Sequence, residues 1–503
     1  MEETNENFSI ENISEEVWVH IFSFLEVKSL EEVSKVCSRF YSLILQNKKL
    51  QSKLSLEINR FNVEEVIKKM ERLPYKSINI NTGRFRVRQD TMTIPEFSIV
   101  IENIFKQQNH DIEKLEVTNV RGNFNIEHFR FFQNLSKLIL IDVKIDLSGL
   151  YLNNDVINIP NLKFLKIYRC SDVVTSLFRA ENLKIFMYQG YENYEFLKFS
   201  TKLESLTIVD FRLNNLKKII QLELKLKYLS LFIIPEDEYI DSVQFDFKHF
   251  LITQQDSLQQ LSIEINKMGV EFVELCLTEL QKLTKFSFKT IKSTFLNFPI
   301  VCVNNSIKDF EIDGKINLDS CNLISWCPSA TLLTLYMSES SSFNILEHIS
   351  KTMLNLRTLK IQTKSANYEY FNQKLKFENL EILKISNIQD NCREIWHKVA
   401  ISCPNLKELT LMNHKIIIDS KIIEMVLRKC QNLQVMNFYA KYIHVSRYFF
   451  KAFVDFPANL NLMKFSYEDC EHYFHEGVEY LRKETNINID AKRFYFHKCK
   501  SDF

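Results

Sequence analysis

The chain has 503 residues, of which 64 are basic and 63 acidic, so its formal net charge is only +1. Because this charge is close to zero, no strong electrostatic field attracts nucleic acid or a membrane surface, and we expect neither as a partner. Seven glycines disfavour phosphate-cradling loops, and 11 cysteines without paired short spacings indicate an intracellular protein, cytoplasmic or nuclear, with reduced and buried thiols.

The first twelve residues, MEETNENFSIEN, are polar and acidic, and we predict that they are disordered rather than a secretory signal. The longest notable uncharged run, 320–338, contains Asn322, Pro328 and several hydroxyl residues, so it is a poor candidate for a membrane span.

Residues 13–50, ISEEVWVHIFSFLEVKSLEEVSKVCSRFYSLILQNKKL, contain three short segments with apolar residues at helical spacing. These apolar positions are Val17, Ile21 and Leu25, then Leu30, Val33, Val36 and Cys37, then Phe40, Leu43 and Ile44. Ser29 followed by Glu32 forms a capping box, which predicts that the second helix begins at Ser29. So small a unit cannot bury this much apolar surface by itself, and we expect it to dock on a partner.

This segment resembles an F-box, the helical domain that binds the Skp-type adaptor of cullin ubiquitin ligases. The matching positions are Ile21, Phe22 and Leu25 in an Ile-Phe-x-x-Leu step, Leu30 at the second helix, and Val36, Cys37 and Phe40 in a Val-Cys-x-x-Phe step. The opening Leu-Pro and closing Leu-Trp of the family read Ile13-Ser14 and Leu50-Gln51 here. On this resemblance we place an F-box at 13–51.

The resemblance implies a substrate-recognition subunit of an SCF-type (Skp–cullin–F-box) ubiquitin ligase, joined through the adaptor to the cullin and RING core. It implies adaptor contacts, some of them shared with the F-box core, for Ile13, Val17, Ile21, Phe22, Leu25, Leu30, Val33, Val36 and Phe40. The chain itself is then not an enzyme, because catalysis belongs to other subunits. The alternative is an ordinary helical cap on a non-ligase interaction scaffold.

From residue 112 the chain repeats the pattern L-x-x-L-x-L, with other apolar residues allowed, fifteen times at a mean spacing of about 25 residues. The repeats begin at 112, 135, 162, 183, 203, 226, 258, 283, 307, 330, 356, 380, 406, 433 and 460, and YKSINI at 75 is a degenerate candidate. This spacing is typical of leucine-rich repeats. We predict a helical linker with one or more degenerate repeats at 52–111, about fifteen repeats at 112–485, and a C-terminal cap or tail at 486–503.

The predicted fold is α/β, with a three-helix F-box followed by a leucine-rich-repeat solenoid shaped like a horseshoe. Its strands form a parallel sheet on the concave face, and helices cover the convex face. Two segments have the apolar spacing of such helices, SKIIEMVLRKC at 420 and CREIWHKVAISC at 392.

Cysteines precede three of the repeats by three residues each, at Cys327, Cys403 and Cys430, as in cysteine-containing leucine-rich repeats. We interpret them as buried helix-end residues rather than as nucleophiles or metal ligands. The Asn or Cys that such repeats place after the strand is kept only at Cys170 and Asn266, which predicts irregular inner turns.

The concave face is the expected site for a protein substrate, because its side chains alternate with those of the core. Six apolar residues at these positions are our candidates for substrate binding: Ile139, Ile141, Tyr168, Met187, Val209 and Phe232. A contiguous exposed apolar patch usually marks an interaction site. The alternatives are that these side chains tilt into the core or that a terminal tail covers them.

Charged residues add two weaker features. The longest interval between repeats contains four acidic residues, which we expect on a protruding and solvated loop: Glu236, Asp237, Glu238 and Asp241. Lys360, Lys384 and Lys464 give the distal concave face some positive character, too sparse to indicate nucleic-acid binding.

The sequence contains no G-x-G-x-x-G, G-x-S-x-G, phosphate-loop or H-E-x-x-H motif, and we predict neither an active site nor a cofactor. Five C-terminal residues could suggest zinc, but their spacing matches no standard site and we predict no metal: Cys470, His472, His475, His497 and Cys499. An enzyme of another kind would require a concave pocket with perturbed titratable groups, which the sequence does not indicate.

Overall fold

The protein is represented by a computed structural model. It describes residues 13–59, 62, 65–66, 73, 75–81, 112–120, 124–125, 129, 132–143, 145–146, 156–170, 178–190, 194–212, 215–234, 240–265, 270–290, 303–313, 325–337, 344–363, 375–386, 401–418, 420–445, 447–455, 459–470 and 472–493. The chain divides into two compact units, Met1–Leu226 and Lys227–Phe503, where the sequence predicted one run of repeats. The predicted disordered segment 1–12, the acidic residues 236–238, the predicted helix up to 400 and the segment 494–503 lie outside the described residues.

The first unit begins with four helices, α1 (Glu15–Phe22), α2 (Val27–Val36), α3 (Ser38–Gln46) and α4 (Lys48–Gln51). The prediction that the second helix begins at Ser29 is wrong. Its N-cap is Glu26, whose backbone is extended and whose carbonyl accepts the Leu30 N–H at 2.9 Å, so Ser29 lies inside the helix. α4, in contrast, begins with a side-chain cap, because the Asn47 side chain accepts from the N–H groups of Lys49 and Leu50.

An aromatic cluster joins the helices. The ring centroid of Trp18 lies 4.7 Å from that of Phe40 and 5.5 Å from that of Phe22, and Phe22 and Phe40 meet edge to face at 5.0 Å. The buried apolar residues of these helices are Phe22, Leu30, Leu43, Ile44 and Leu50. The helices therefore have a small core of their own.

The described strands of the first unit form a parallel sheet in which they follow one another in chain order. These strands are β1 (Ser55–Ile58), β2 (Ser77–Asn81), β3 (Lys114–Thr118), β5 (Lys137–Ile141), β8 (Phe164–Tyr168), β10 (Ile185–Gln189) and β11 (Ser205–Phe211). Two-residue strands pair beside it, β4 (Phe124–Asn125) with β6 (Ile145–Asp146) and β7 (Ile157–Asn158) with β9 (Phe178–Arg179).

Each hexapeptide repeat of this unit supplies one strand, which begins at the third residue of the repeat, as the pattern predicts. In β8, for example, Leu165 and Ile167 are fully buried whereas Lys166 between them is half-buried. The predicted start at 75 also supplies a strand, β2. The sheet begins still earlier, with β1 inside the predicted linker, because SLEI also alternates buried and less buried residues.

Helices between the strands of the first unit were also predicted, and its described residues contain only short helical segments. The described connections contain helical residues at 65–66, a 3₁₀ helix at Glu195–Phe199 and a short helix, α5 (Leu216–Ile220), besides the two-residue strands. The repeats at 162, 183 and 203 are only 20 or 21 residues apart. Such connections leave too little chain for a ten-residue helix together with the turns into and out of the sheet.

In the second unit the described strands again form a parallel sheet in chain order. They are β12 (Tyr228–Ile233), β13 (Gln260–Ile265), β14 (Lys285–Thr290), β15 (Asp309–Asp313), β16 (Leu332–Met337), β17 (Thr358–Thr363), β18 (Ile382–Ser386), β19 (Glu408–Ile418), β20 (Val435–Val445), β21 (Leu462–Cys470) and β22 (Asn488–Arg493). β22 lies in the predicted cap or tail, so the sheet continues past residue 485 by one strand without the leucine pattern.

Here the predicted helices between strands are present. They are α6 (Ile240–Gln254), α7 (Val270–Glu279), α8 (Asn344–Thr352), α9 (Ser420–Lys429), α10 (Arg447–Asp455) and α11 (His472–Glu484). α9 confirms the helix predicted at 420. Asp241, which we expected on an acidic loop, lies in the first turn of α6, because the helix begins at Ile240.

A ladder of asparagines that was not predicted joins neighbouring repeats. Each asparagine directly precedes the first leucine of a repeat and donates its side-chain N–H to a backbone carbonyl of the preceding repeat. These bonds join Asn161 to Gln133, Asn182 to Pro160, Asn379 to Leu354, Asn405 to Glu378 and Asn459 to Gln431, at 2.7–3.1 Å. The recurring Asn-Leu pair in the sequence could have predicted this ladder.

The prediction for the three repeat cysteines is confirmed, because Cys327, Cys403 and Cys430 are fully buried. Burial raises the pKa of Cys403 well above its ordinary value and that of Cys430 to about 12. Both therefore stay protonated thiols at neutral pH, and Cys430 Sγ lies 3.6 Å from the carbonyl oxygen of Cys403.

Helix α11 packs closely on α10 at Gly477. A Cβ atom at this position would fall inside the buried ring of Phe450, which is itself enclosed by Phe449 at 4.9 Å and Phe474 at 6.0 Å between centroids. We expect Gly477→Ala to lower the free energy of unfolding by about 1–3 kcal/mol, despite the better helix propensity of alanine. Chemical denaturation measures this loss. Phe450→Leu should make room, so the double variant should lose less stability than the two single losses added together; simple additivity would contradict the clash.

Candidate functional site

Several large apolar side chains of the helical segment are exposed. The exposed fractions are 48% for Val17, 41% for Ile21, 74% for Phe24, 68% for Val36 and 37% for Tyr41. Val17 and Ile21 lie one turn apart on the same side of α1. We call these five residues the exposed apolar set. So many exposed apolar residues within 25 positions of sequence indicate an interaction surface.

The nine residues predicted to contact an adaptor fall into three groups. Val17, Ile21 and Val36 belong to the exposed apolar set. Ile13, Leu25, Val33 and Phe40 are half-buried. Phe22 and Leu30 are buried and therefore belong to the core of the segment rather than to its surface. Phe24 and Tyr41 were not among the predicted contacts, although Phe24 follows Ile21 at helical spacing.

Cys37 was expected among the apolar positions of the second helix. It is instead exposed, in extended backbone between α2 and α3. The helical period that placed it among these positions ends at Val36, and this accounts for the difference.

Specific polar contacts hold the helical segment against the first strands. The buried Tyr75, two residues before β2, donates its hydroxyl to the carboxylate of the buried Glu31 in α2 at 3.1 Å. Burial and the Glu31 carboxylate raise the pKa of Tyr75 well above its ordinary value, so the phenol remains a donor. Lys53, just before β1, donates to the carbonyls of Ser23 and Leu25, which follow α1. The helices are therefore attached to the sheet of the first unit.

The open face of each sheet consists of the strand residues that alternate with buried ones. In the first unit the strand register places Ile141 beside Tyr168, Met187 beside Lys166, and Val209 beside Gln189. Ile141, Tyr168, Met187 and Val209 are half-buried there.

The predicted contiguous apolar patch is therefore only partly formed. Ile139 is only 8% exposed, so its neighbours on the open face cover most of its side chain. Lys166 lies between Ile139 and Met187 in the register, and Gln189 lies between Tyr168 and Val209. Phe232 belongs to the second unit, where it is half-buried beside Glu264. Lys166 and Gln189 thus separate the apolar candidates for substrate binding from one another.

On the open face of the second unit, lysines and carboxylates on adjacent strands pair with one another. Lys289 lies 3.1 Å from Glu264, and Lys384 lies 3.1 Å from Glu408. The positive character expected from Lys384 is therefore largely neutralised by its neighbour. Asn437 on β20 also donates to Glu408, at 3.3 Å.

The C-terminal cysteines and histidines that could suggest zinc are described only in part. Cys470 Sγ lies 3.6 Å from His475 Nε2, whereas His497 and Cys499 lie outside the described residues. Within the described ranges, no three His, Cys, Asp or Glu side chains are grouped so that they could hold a metal ion. No helix in the described part of the chain combines the length and the apolar character needed to cross a membrane.

A family model described as F-box-like matches residues 15–57, which span α1 to α4 and most of β1. The chain thus contains an F-box-like domain, and this domain includes the exposed apolar set. Such a domain implies binding to a Skp-type adaptor. The match extends six residues past the predicted end at Gln51, into the first strand of the sheet. No match is found among the curated proteins.

Proposed function

We propose that this protein is the substrate-recognition subunit of an SCF-type E3 ubiquitin ligase. Its F-box-like domain binds the Skp-type adaptor and, through it, the cullin and RING core. Its hexapeptide repeats are leucine-rich repeats, whose open faces hold a protein substrate. The chain itself carries out no catalysis and needs no cofactor.

The exposed apolar set is the observation that carries this proposal. Folding of the helical segment buries Phe22, Leu30 and Leu43 yet leaves Phe24 and Val36 mostly exposed. Covering such side chains with a partner removes apolar surface from water, which contributes about 25 cal/mol for each Å². Aromatic residues such as Phe24 and Tyr41 are frequent energetic centres of interfaces.

The second support is the attachment of the helices to the sheet. Because Tyr75 and Lys53 bond to the helical segment, a bound adaptor would be held in a defined position relative to the open face of the first unit. A ligase subunit that holds the substrate near the transfer site raises the effective concentration of its lysines, and this is a role in positioning rather than chemistry.

The test is adaptor binding by the purified full-length chain, measured by calorimetry and by co-purification. Val17→Asp and Val36→Asp each place a carboxylate at an apolar contact, and we expect each to weaken adaptor binding at least about tenfold. Both side chains are exposed in the free protein, so the substitutions should leave its stability nearly unchanged.

Tyr448→Asp in α10 is the matched control, because Tyr448 is a 69% exposed apolar residue in the second unit and should not affect the adaptor. Absence of adaptor binding by the wild-type chain would contradict the proposal and favour a non-ligase interaction scaffold. Full binding by both aspartate variants would also contradict it.

A further inference from the structure

Two lysines on the open face of the first unit lie among apolar side chains. Lys137 begins β5, opposite Phe164 of β8, and Lys166 lies in the middle of β8, between Ile139 and Met187. Both lysines are half-buried, so their side chains follow the sheet rather than extend freely into water.

Aromatic rings hold both ammonium groups over the sheet. Lys137 Nζ lies 4.6 Å from the ring centroid of Phe164, and Lys166 Nζ lies 5.6 Å from that of Tyr168. Among the described residues, neither ammonium lies within 4.0 Å of a carboxylate oxygen. Each of these two positive charges therefore lies over a ring and forms no ion pair with the described residues.

The neighbouring basic residues, in contrast, lie close to carboxylates. Lys114, the register neighbour of Lys137 on β3, lies 3.4 Å from Glu116, and Arg169 at the end of β8 lies 3.9 Å from Asp142. Lys114 and Lys137 also face each other as like charges, an arrangement that is unfavourable for the sheet alone. Retaining Lys137 there is understandable if a bound anion offsets the repulsion.

We propose that the open face of β5, β8 and β10 binds an extended protein segment that carries Asp or Glu together with apolar side chains. The carboxylates pair with Lys137 and Lys166, while the apolar side chains contact Ile141, Ile185 and Met187. Ile185, at the start of β10, is 38% exposed and continues the apolar surface beside Phe164. This inference rests on the proposed function and names its substrate class.

The strand register also predicts the spacing of the acidic residues in the bound segment. Lys137 and Lys166 lie on adjacent strands and are offset by two residues, which places their Cα atoms roughly 8 Å apart. In an extended peptide, side chains at i and i+2 point to the same side and lie about 6.7 Å apart. Acidic residues two positions apart therefore match the two lysines within the reach of their flexible side chains.

The experiment is selection of random 12-residue peptides by display on the immobilised full-length chain. We expect the selected peptides to contain at least about twofold more Asp and Glu than the input library, often two positions apart. The Lys137→Glu/Lys166→Glu variant should reverse this preference towards Lys and Arg, because the charge of the site is inverted. Lys137→Gln/Lys166→Gln should abolish the acidic preference without reversing it.

The matched control is Lys163→Glu/Lys198→Glu, which changes the net charge equally at two exposed lysines of the same unit, outside the open face. Of these, Lys198 also lies over a ring, 5.3 Å from the centroid of Phe199. This variant should select the same acidic peptides as the wild type. An equal acidic preference on the wild type and both Lys137/Lys166 variants, or none on the wild type, would overturn the proposal.

Adaptor binding is measured on the same preparations, and it separates this inference from the proposed function. We expect the variants at Lys137 and Lys166 to bind the adaptor as the wild type does, which also shows that they are folded. Acidic selection without any adaptor binding would refute the ligase role alone. Adaptor binding without acidic selection would refute only the substrate class.

Discussion

Replacing Leu30 with aspartate is expected to unfold the helical segment. Leu30 has no exposed surface in the fold. Truncation to alanine at such a position lowers the free energy of unfolding by about 2–5 kcal/mol, and aspartate adds the desolvation of a buried carboxylate. Hydrogen exchange of peptides from residues 13–51 should show that amide protection is lost throughout α1 to α3.

Val36→Asp in the same helix is the matched comparison, because it introduces the same charge at a side chain that is 68% exposed. Its amide protection should remain at the wild-type level. Both variants should bind the adaptor more weakly than the wild type, Leu30→Asp because the segment unfolds and Val36→Asp because its surface is changed. Retained protection around Leu30→Asp would mean that α2 does not pack as described.

Asn304→Ala is expected to produce the second large loss of stability. The Asn304 side chain is fully buried, and its Nδ2 group donates to the carbonyls of Leu277 and Leu280 at 3.0 and 3.1 Å. Its Oδ1 atom accepts from the backbone N–H of Ser306 at 3.0 Å. The side chain thus joins the C-terminal end of α7 to the segment before β15.

Alanine would leave two carbonyls at the end of α7 without this donor, and we expect the free energy of unfolding to fall by about 2–4 kcal/mol. Urea denaturation, together with hydrogen exchange across α7, measures the effect. Asn305→Ala is the control, because the neighbouring Asn305 is exposed and should change stability by less than about 0.5 kcal/mol. If both variants had the same free energy of unfolding, the hydrogen bonds of Asn304 would not contribute to stability.

The strands were predictable because their signal is local. Alternation of apolar residues over five positions defines a strand and its buried side, and all fifteen hexapeptides supply one. The helices between the strands of the first unit were less predictable. There the length of each connection decides what can form, and the leucine pattern does not contain this information.

The candidate site was less predictable. Leu30 and Val36 both match the apolar period of α2, yet one is buried and the other is exposed. Their difference depends on where the helices meet the sheet, through contacts such as that between Glu31 and Tyr75, which are 44 residues apart. Likewise Ile139 and Ile141 are equivalent in the pattern, but only Ile139 is buried.

By itself the sequence determined that this chain has an F-box-like segment and a series of parallel strands, because both depend on short-range spacing of apolar residues. Only the tertiary structure decided which of those residues stay exposed and which lysines pair with a carboxylate on a neighbouring strand. The reason is physical: exposure and charge compensation depend on side chains from other strands and helices. Lys137 and Lys289 look alike in sequence, but only Lys289 is flanked by Glu264 and Asp313.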